Sequence, residues 1–195
     1  MVKIRNSKKL VHGYGRKGDG ITRINGKHTK AYTLWKNMLE RCYNPKTLSK
    51  HPTYTGCSVC DAWLFFPTFN AWCDIHYVED WELDKDLLTV GNKVYGPDTC
   101  VFAHKSINSL FTDHRSARGE YPIGISLHKR SGKFRANLSI DGTLKYLGLF
   151  DTVEDASKAY LIAKKANVIR IADEWKEKIP VRLYEALIRK ANDLI

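Results

Sequence analysis

The sequence predicts an α+β protein built from two small modules, and three observations predict it. Apolar residues recur at helical intervals between residues 31 and 72. Three short alternating runs separated by glycine turns fall between residues 121 and 150. A polar, turn-rich stretch, residues 112–120 (TDHRSARGE), separates the two patterns. At 195 residues, 43% of them hydrophobic and 11% aromatic, the chain can fill two modest cores. The expected division is a basic arm over residues 1–30, a helix-and-strand module over 31–116 and a sheet-and-helix module over 117–195.

Residues 1–30 carry one acid, Asp19, among many Lys and Arg, together with Gly13, Gly15, Gly18, Gly20 and Gly26. So charged and glycine-rich a segment is a poor core former, and it reads either as a mobile tail or as a flexible arm following a phosphate backbone. Beyond it, Tyr32, Trp35, Met38, Leu39 and Cys42 mark one amphipathic helix, which Asn44-Pro45 stops. A second helix is expected after Cys57-Ser58-Val59-Cys60, where Trp63, Phe66, Phe69, Asn70 and Trp72 form a stripe and Pro67 belongs to the first turn. Aromatics at this density are a core composition before they are a base-stacking platform.

The acidic stretch CDIHYVEDWELD leads into a strand ending at Asp84. A loop with Gly91, the turn Tyr95-Gly96-Pro97-Asp98, a short strand at residues 99–103 and a short helix at 105–111 complete the order strand, loop, strand, helix. In the back module, YPIGISLHK, KFRANLSI and TLKYLGLF are separated by Arg130-Ser131-Gly132 and Asp141-Gly142, which predicts a three-stranded antiparallel meander. A helix capped by Asp151 or Thr152 follows, with Val153, Ala156, Ala159, Tyr160 and Ala163 on the face that covers the sheet. A last helix begins at Pro180, with Val181, Leu183, Tyr184, Leu187, Ile188 and Ala191 apolar.

The 32 Lys and Arg against 21 Asp and Glu give a formal charge of +11, which attracts polyanions and nucleic acid above all. No run of about 18 apolar residues exists to span a membrane, and the start MVKIRNSKKL lacks the apolar segment of a secretory signal, so a cytoplasmic location is expected. Five cysteines, an odd number, are expected as reduced thiols. Cys57 and Cys60 have the spacing of a structural zinc knuckle, with Cys42, His51, Cys73 or Cys100 available to complete four ligands. A lone C-x-x-C is equally a pair of buried thiols.

Within KFRANLSI, Phe134, Ala136, Leu138 and Ile140 alternate with Lys133, Arg135, Asn137 and Ser139, so one face packs and the other presents hydrogen-bonding groups. Arg pairs with guanine and Asn with adenine in the major groove of double-stranded DNA. His128, Lys129 and Arg130 extend this surface from the first hairpin, and Lys145 and Tyr146 join it from the third run.

Tyr121, Gly124, Lys133-Phe134, Ala136, Tyr146-Leu147-Gly148, Phe150-Asp151-Thr152, Glu154, Ala156 and Ala159-Tyr160 together resemble the plant ethylene-response-factor (APETALA-type) DNA-binding domain, also found attached to phage nucleases. The resemblance implies a sheet lying in the major groove, with Arg130, Lys133, Arg135 and Tyr146 as contacts. The present sheet has fewer arginines than the plant domains.

The front module resembles phage homing endonucleases of the HNH type, the His-Me finger group. That resemblance rests on Asp84, on Gly91-Asn92-Lys93 and on Ile107-Asn108, with ML-ERCYNP, Y-TGCSVCDAW and F-PTFNAWC upstream. It implies a ββα-metal module in which Asp84 and Asn108 hold Mg2+ or Mn2+ on a scissile phosphate, making the chain a metal-dependent DNA endonuclease. Lys85 stands at the catalytic histidine of that family and Thr99 at its middle asparagine. Imidazole titrates near neutrality, whereas a free lysine amine is protonated there. The base is then Lys85 in a desolvated or cation-flanked state, His104 from another position, or His76. Failing these, the chain is a non-cleaving DNA-binding protein, regulatory or interfering with a host system. RNA binding by the aromatic front half is a third reading.

Overall fold

The computed structural model describes residues 10–111 and 120–195. The α+β class is as expected. The chain divides into two compact units, Met1–Phe102 and Ala103–Ile195, so the division falls earlier than residue 116 and the short helix after residue 104 belongs to the second unit. The stretch 112–119, where the boundary was expected, and the first nine residues of the basic arm lie outside the described residues.

In the first unit, residues 10–29 are not a loose arm. Val11 and Gly15 exchange backbone hydrogen bonds of 2.8 and 2.9 Å. Arg16 bridges to the aromatic segment, its N–H donating to the Leu64 carbonyl at 2.7 Å and its carbonyl accepting from Phe66 N–H at 2.9 Å. A Cβ on Gly15 would stand 2.3 Å from Leu39 Cδ1 and 2.7 Å from the Trp35 ring, and one on Gly20 would stand 2.8 Å from the Phe66 ring. These glycines therefore serve close approach to a core rather than flexibility. The strands β1 (Arg23–Ile24) and β2 (Lys27–His28) form a hairpin across Asn25-Gly26, both at positive φ (50° and 77°), the dipeptide that a two-residue turn demands.

Helix α1 (Lys30–Tyr43) starts where the Thr29 hydroxyl accepts from Tyr32 N–H at 3.2 Å. It ends at Asn44, whose side chain caps a second, short helix, α2 (Pro45–Lys50). The expected stop is thus also a restart, because proline is tolerated at a first helical position. Strand β3 (Ser58–Val59) leads into a 3-10 turn, Asp61–Leu64, and then α3 (Phe66–His76), with Pro67 in its first turn. Trp35, Leu39, Trp63, Phe66 and Phe69 are fully buried between these helices, and Trp35 Nε1 donates to the Trp63 carbonyl at 2.6 Å. The aromatic stripe is core.

Strand β4 (Glu82–Asp84) pairs with β6 (Val101–Ala103), and β5 (Val94–Tyr95) runs parallel to β3. After them comes α4 (Lys105–Asn108), continued by a 3-10 turn, Ser109–Phe111.

The rest of the second unit holds the meander β7 (Ile125–His128), β8 (Lys133–Ile140) and β9 (Thr143–Phe150), all antiparallel and in that order. Helix α5 (Val153–Trp175) is capped by Thr152, whose hydroxyl accepts from Asp155 N–H at 3.1 Å and donates to its carboxylate at 2.8 Å. Ile125, Ala136 and Ala156 are buried between sheet and helix, with Phe134, Leu147, Phe150 and Tyr160 packed on them. Arg170 ties α5 to the β8–β9 turn through Asp141 at 2.9 Å. Helix α6 (Val181–Asn192) buries Leu183, Ala186, Leu187 and Ala191, and Tyr184 donates its hydroxyl to Asp173 at 2.9 Å. Among the described residues no helix is long and apolar enough to cross a membrane.

Candidate nucleic-acid interface and the acidic loop

The sheet face away from α5 is set by register. Arg135 stands opposite Ser126 and Leu149, Asn137 opposite Tyr146, Lys133 opposite His128, and Ser139 opposite Leu144. Cross-strand partners share a face, so these side chains form one surface, while Phe134, Ala136 and Leu138 point toward the helix. Of the residues expected to meet DNA, the register therefore collects His128, Lys133, Arg135, Asn137 and Tyr146, and the exposed hairpin turn adds Lys129 and Arg130.

Lys145 departs from expectation. It stands opposite Leu138, on the helix side, and is exposed only because β9 is an edge strand. The reason is a bulge: pairing jumps from Ala136–Gly148 to Asn137–Tyr146, leaving Leu147 unpaired, with Gly148 at φ +141°. One extra residue exchanges the two faces of β9 beyond it, which brings Leu144, Tyr146 and Leu149 onto the outer face together. The Gly148 in an otherwise apolar strand was the available signal. Two of these side chains are already engaged locally, Lys133 with Asp151 at 2.9 Å and His128 Nδ1 with the Ser131 hydroxyl at 2.8 Å. Both contacts are exposed and exchangeable.

In the acidic loop each polar group has a structural task. Asp84 Oδ1 accepts the backbone N–H groups of Asp86 and Leu87 at 2.6 and 2.7 Å, so it caps the turn that follows β4. Lys85 is buried (5% exposed), and its Nζ donates to both Asp86 oxygens at 2.6 and 2.7 Å and to the Asn92 carbonyl at 3.0 Å, with the Tyr95 ring 5.9 Å away. Asn92 answers by donating Nδ2 to the carbonyls of Lys85 and Val94, each at 2.8 Å. Three donors on the ammonium meet three acceptors. Such a lysine clasps a loop, its three donors aimed at protein acceptors. The part played by Asn92 was not legible beforehand, because it depends on a carbonyl seven residues away.

His104, the alternative base, caps α4: its Nδ1 faces Ser106 N–H at 3.3 Å and the Ser106 hydroxyl at 2.9 Å, and its ring stacks on Trp175 at 4.6 Å. His76 packs against the Trp72 ring at 4.7 Å. Asp84 belongs to the first unit and Asn108, the last residue of α4, to the second. A magnesium or manganese ion keeps several waters and takes only one or two protein carboxylates beside a phosphate; no group of three or more His, Cys, Asp or Glu side chains converges among the described residues. Asp84 Oδ1 is engaged by two backbone N–H groups, and the Lys85 ammonium lies against the Asp86 carboxylate.

Cys57 and Cys60 flank β3, a two-residue extended segment paired with β5. A zinc knuckle instead needs a tight turn that faces its two sulfurs together. Cys42, Cys73 and Cys100 are buried in the apolar core, and burial pushes each of these thiols up to about 12. Compared with protein-family models, with curated proteins and with solved structures, the chain matches none.

Proposed function

We propose that this chain is a duplex-DNA-binding protein that lays the outer face of β7, β8 and β9 in the major groove, with Arg135 and Asn137 as base readers. Lys129, Arg130 and Lys133 neutralise phosphates around them. The observation that carries the reading is the register that gathers Arg135, Asn137, His128, Lys133 and Tyr146 on the sheet face opposite the one that packs on α5. Residues 31–116 are read as an HNH-type module in which a clasped lysine replaces the proton acceptor, so that binding proceeds without cleavage.

Metal-dependent cleavage of DNA, the endonuclease reading, is second. It is favoured by the order strand, loop, strand, helix in β4, β6 and α4, with Asp84 ending the first of these strands. Both readings are tested together on the purified chain. Binding to duplex DNA should fall steeply with salt. Arg135→Ala should weaken it by roughly tenfold, the scale of one bidentate base contact. Unchanged affinity in that variant would refute the groove-facing sheet. Nicking in magnesium or manganese that Asp84→Ala abolishes would replace the first reading by the second.

A further inference from the structure

The outer sheet face is not uniformly polar. Leu144 is 68% exposed, Tyr146 62% and Leu149 37%, and they stand opposite Ser139, Asn137 and Arg135 respectively. An apolar column on β9 thus runs beside a polar column on β8, about 5 Å away at the spacing of paired strands. Strict alternation along β9 would have turned Leu144 and Tyr146 toward α5 with Phe150; the bulge at Leu147-Gly148 is what unites the three. Three exposed apolar side chains aligned on one strand face form the kind of patch that marks a binding site. The cations at its border, Lys129, Arg130, Lys133 and Arg135, call for a polyanionic occupant rather than an apolar protein face.

On the major-groove edge of B-DNA the apolar group is the C5-methyl of thymine, and 5-methylcytosine carries its methyl at the same ring position. Resting on the DNA reading above, we propose that β9 is a pyrimidine-methyl reader: Leu144, Tyr146 and Leu149 take C5-methyl groups beside the purines read by Arg135 and Asn137. Such a division of labour explains a DNA-facing sheet poor in arginine. Hydrogen bonds on β8 select the purine, and buried methyl contacts on β9 select its pyrimidine neighbours.

The test compares two duplex pools of identical random sequence, one synthesised with thymine and the other with uracil, which lacks only the C5-methyl. Each methyl contacted is worth about fourfold in affinity at roughly 0.8 kcal/mol per buried carbon group. Wild-type protein should therefore prefer the thymine pool by roughly 15- to 60-fold when two or three methyls are read. Replacing cytosine by 5-methylcytosine in the uracil pool should restore part of the loss. The double variant Leu144→Ser with Leu149→Ser, checked for an unchanged circular dichroism spectrum, should bind both pools alike and still respond to salt. Equal wild-type affinity for both pools, with duplex binding intact, overturns the methyl reading and leaves the DNA reading standing. Absence of duplex binding overturns both. A dimer of the free protein that the double variant loses, together with equal affinity for the pools, assigns the column to a second copy of the chain and likewise overturns the proposal.

Discussion

Removing the Asp86 carboxylate should hurt the fold more than removing the lysine it pairs with, and the asymmetry follows from exposure. The Lys85 side chain is 6% exposed and the Asp86 side chain 52%. Asp86→Ala deletes two of the three acceptors of a buried ammonium and leaves only the Asn92 carbonyl at 3.0 Å. Hydrogen bonds to charged groups are worth roughly 1.5–3 kcal/mol, and water entering through the half-exposed site reduces this, so a loss of about 2 kcal/mol is expected. Lys85→Met keeps the apolar stem and leaves a carboxylate that solvent can hydrate. Its cost is one lost donor to the Asn92 carbonyl, about 1 kcal/mol. Urea unfolding followed by tryptophan fluorescence reads the difference, since Trp35, Trp63, Trp72 and Trp81 lie in the first unit and Trp175 alone in the second. A midpoint shift at constant slope measures stability. If Lys85→Met proved at least as destabilising as Asp86→Ala, the clasp account would be refuted. The same holds if Lys85→Met abolished metal-dependent nicking in a protein that stayed folded, because the lysine would then be acting on the phosphodiester.

Two further outcomes test the fold. Gly15→Ala should destabilise the first unit by roughly 1–3 kcal/mol through overpacking against Leu39 and Trp35, as measured by urea unfolding; a neutral result would return residues 10–20 to the status of a loose arm. Because burial holds the Cys42, Cys73 and Cys100 thiols at about 12, the unfolded chain releases their protons first, from about pH 9. Between those limits the unfolded state binds fewer protons than the folded state, so stability should fall as pH rises, by up to roughly 1.4 kcal/mol per pH unit for each thiol. Unfolding midpoints that stay flat from pH 8 to pH 11 would contradict the burial of these groups.

Periodicity alone determined much of this protein. The spacing of Tyr32, Trp35, Met38, Leu39 and Cys42 specifies α1, the alternation in KFRANLSI specifies β8, and Asp141-Gly142 specifies the β8–β9 turn, because each signal acts between residues close along the chain. Arg135 and Asn137 were legible as outward-facing for the same reason. The tertiary structure decided what a chain segment meets. Gly15 reads as flexible until Trp35 and Leu39 are placed against it. Asp84 reads as a metal ligand and Lys85 as a candidate base; that Asp84 Oδ1 also caps the turn after β4, and that Lys85 reaches Asp86 and the Asn92 carbonyl, is decided by the folded loop. One unpaired residue in β9 moves Lys145 off the candidate DNA face and Leu144 onto it. A strand's period is a local property, but its register and the occupation of its polar groups belong to the neighbour it pairs with, and no single segment encodes that neighbour.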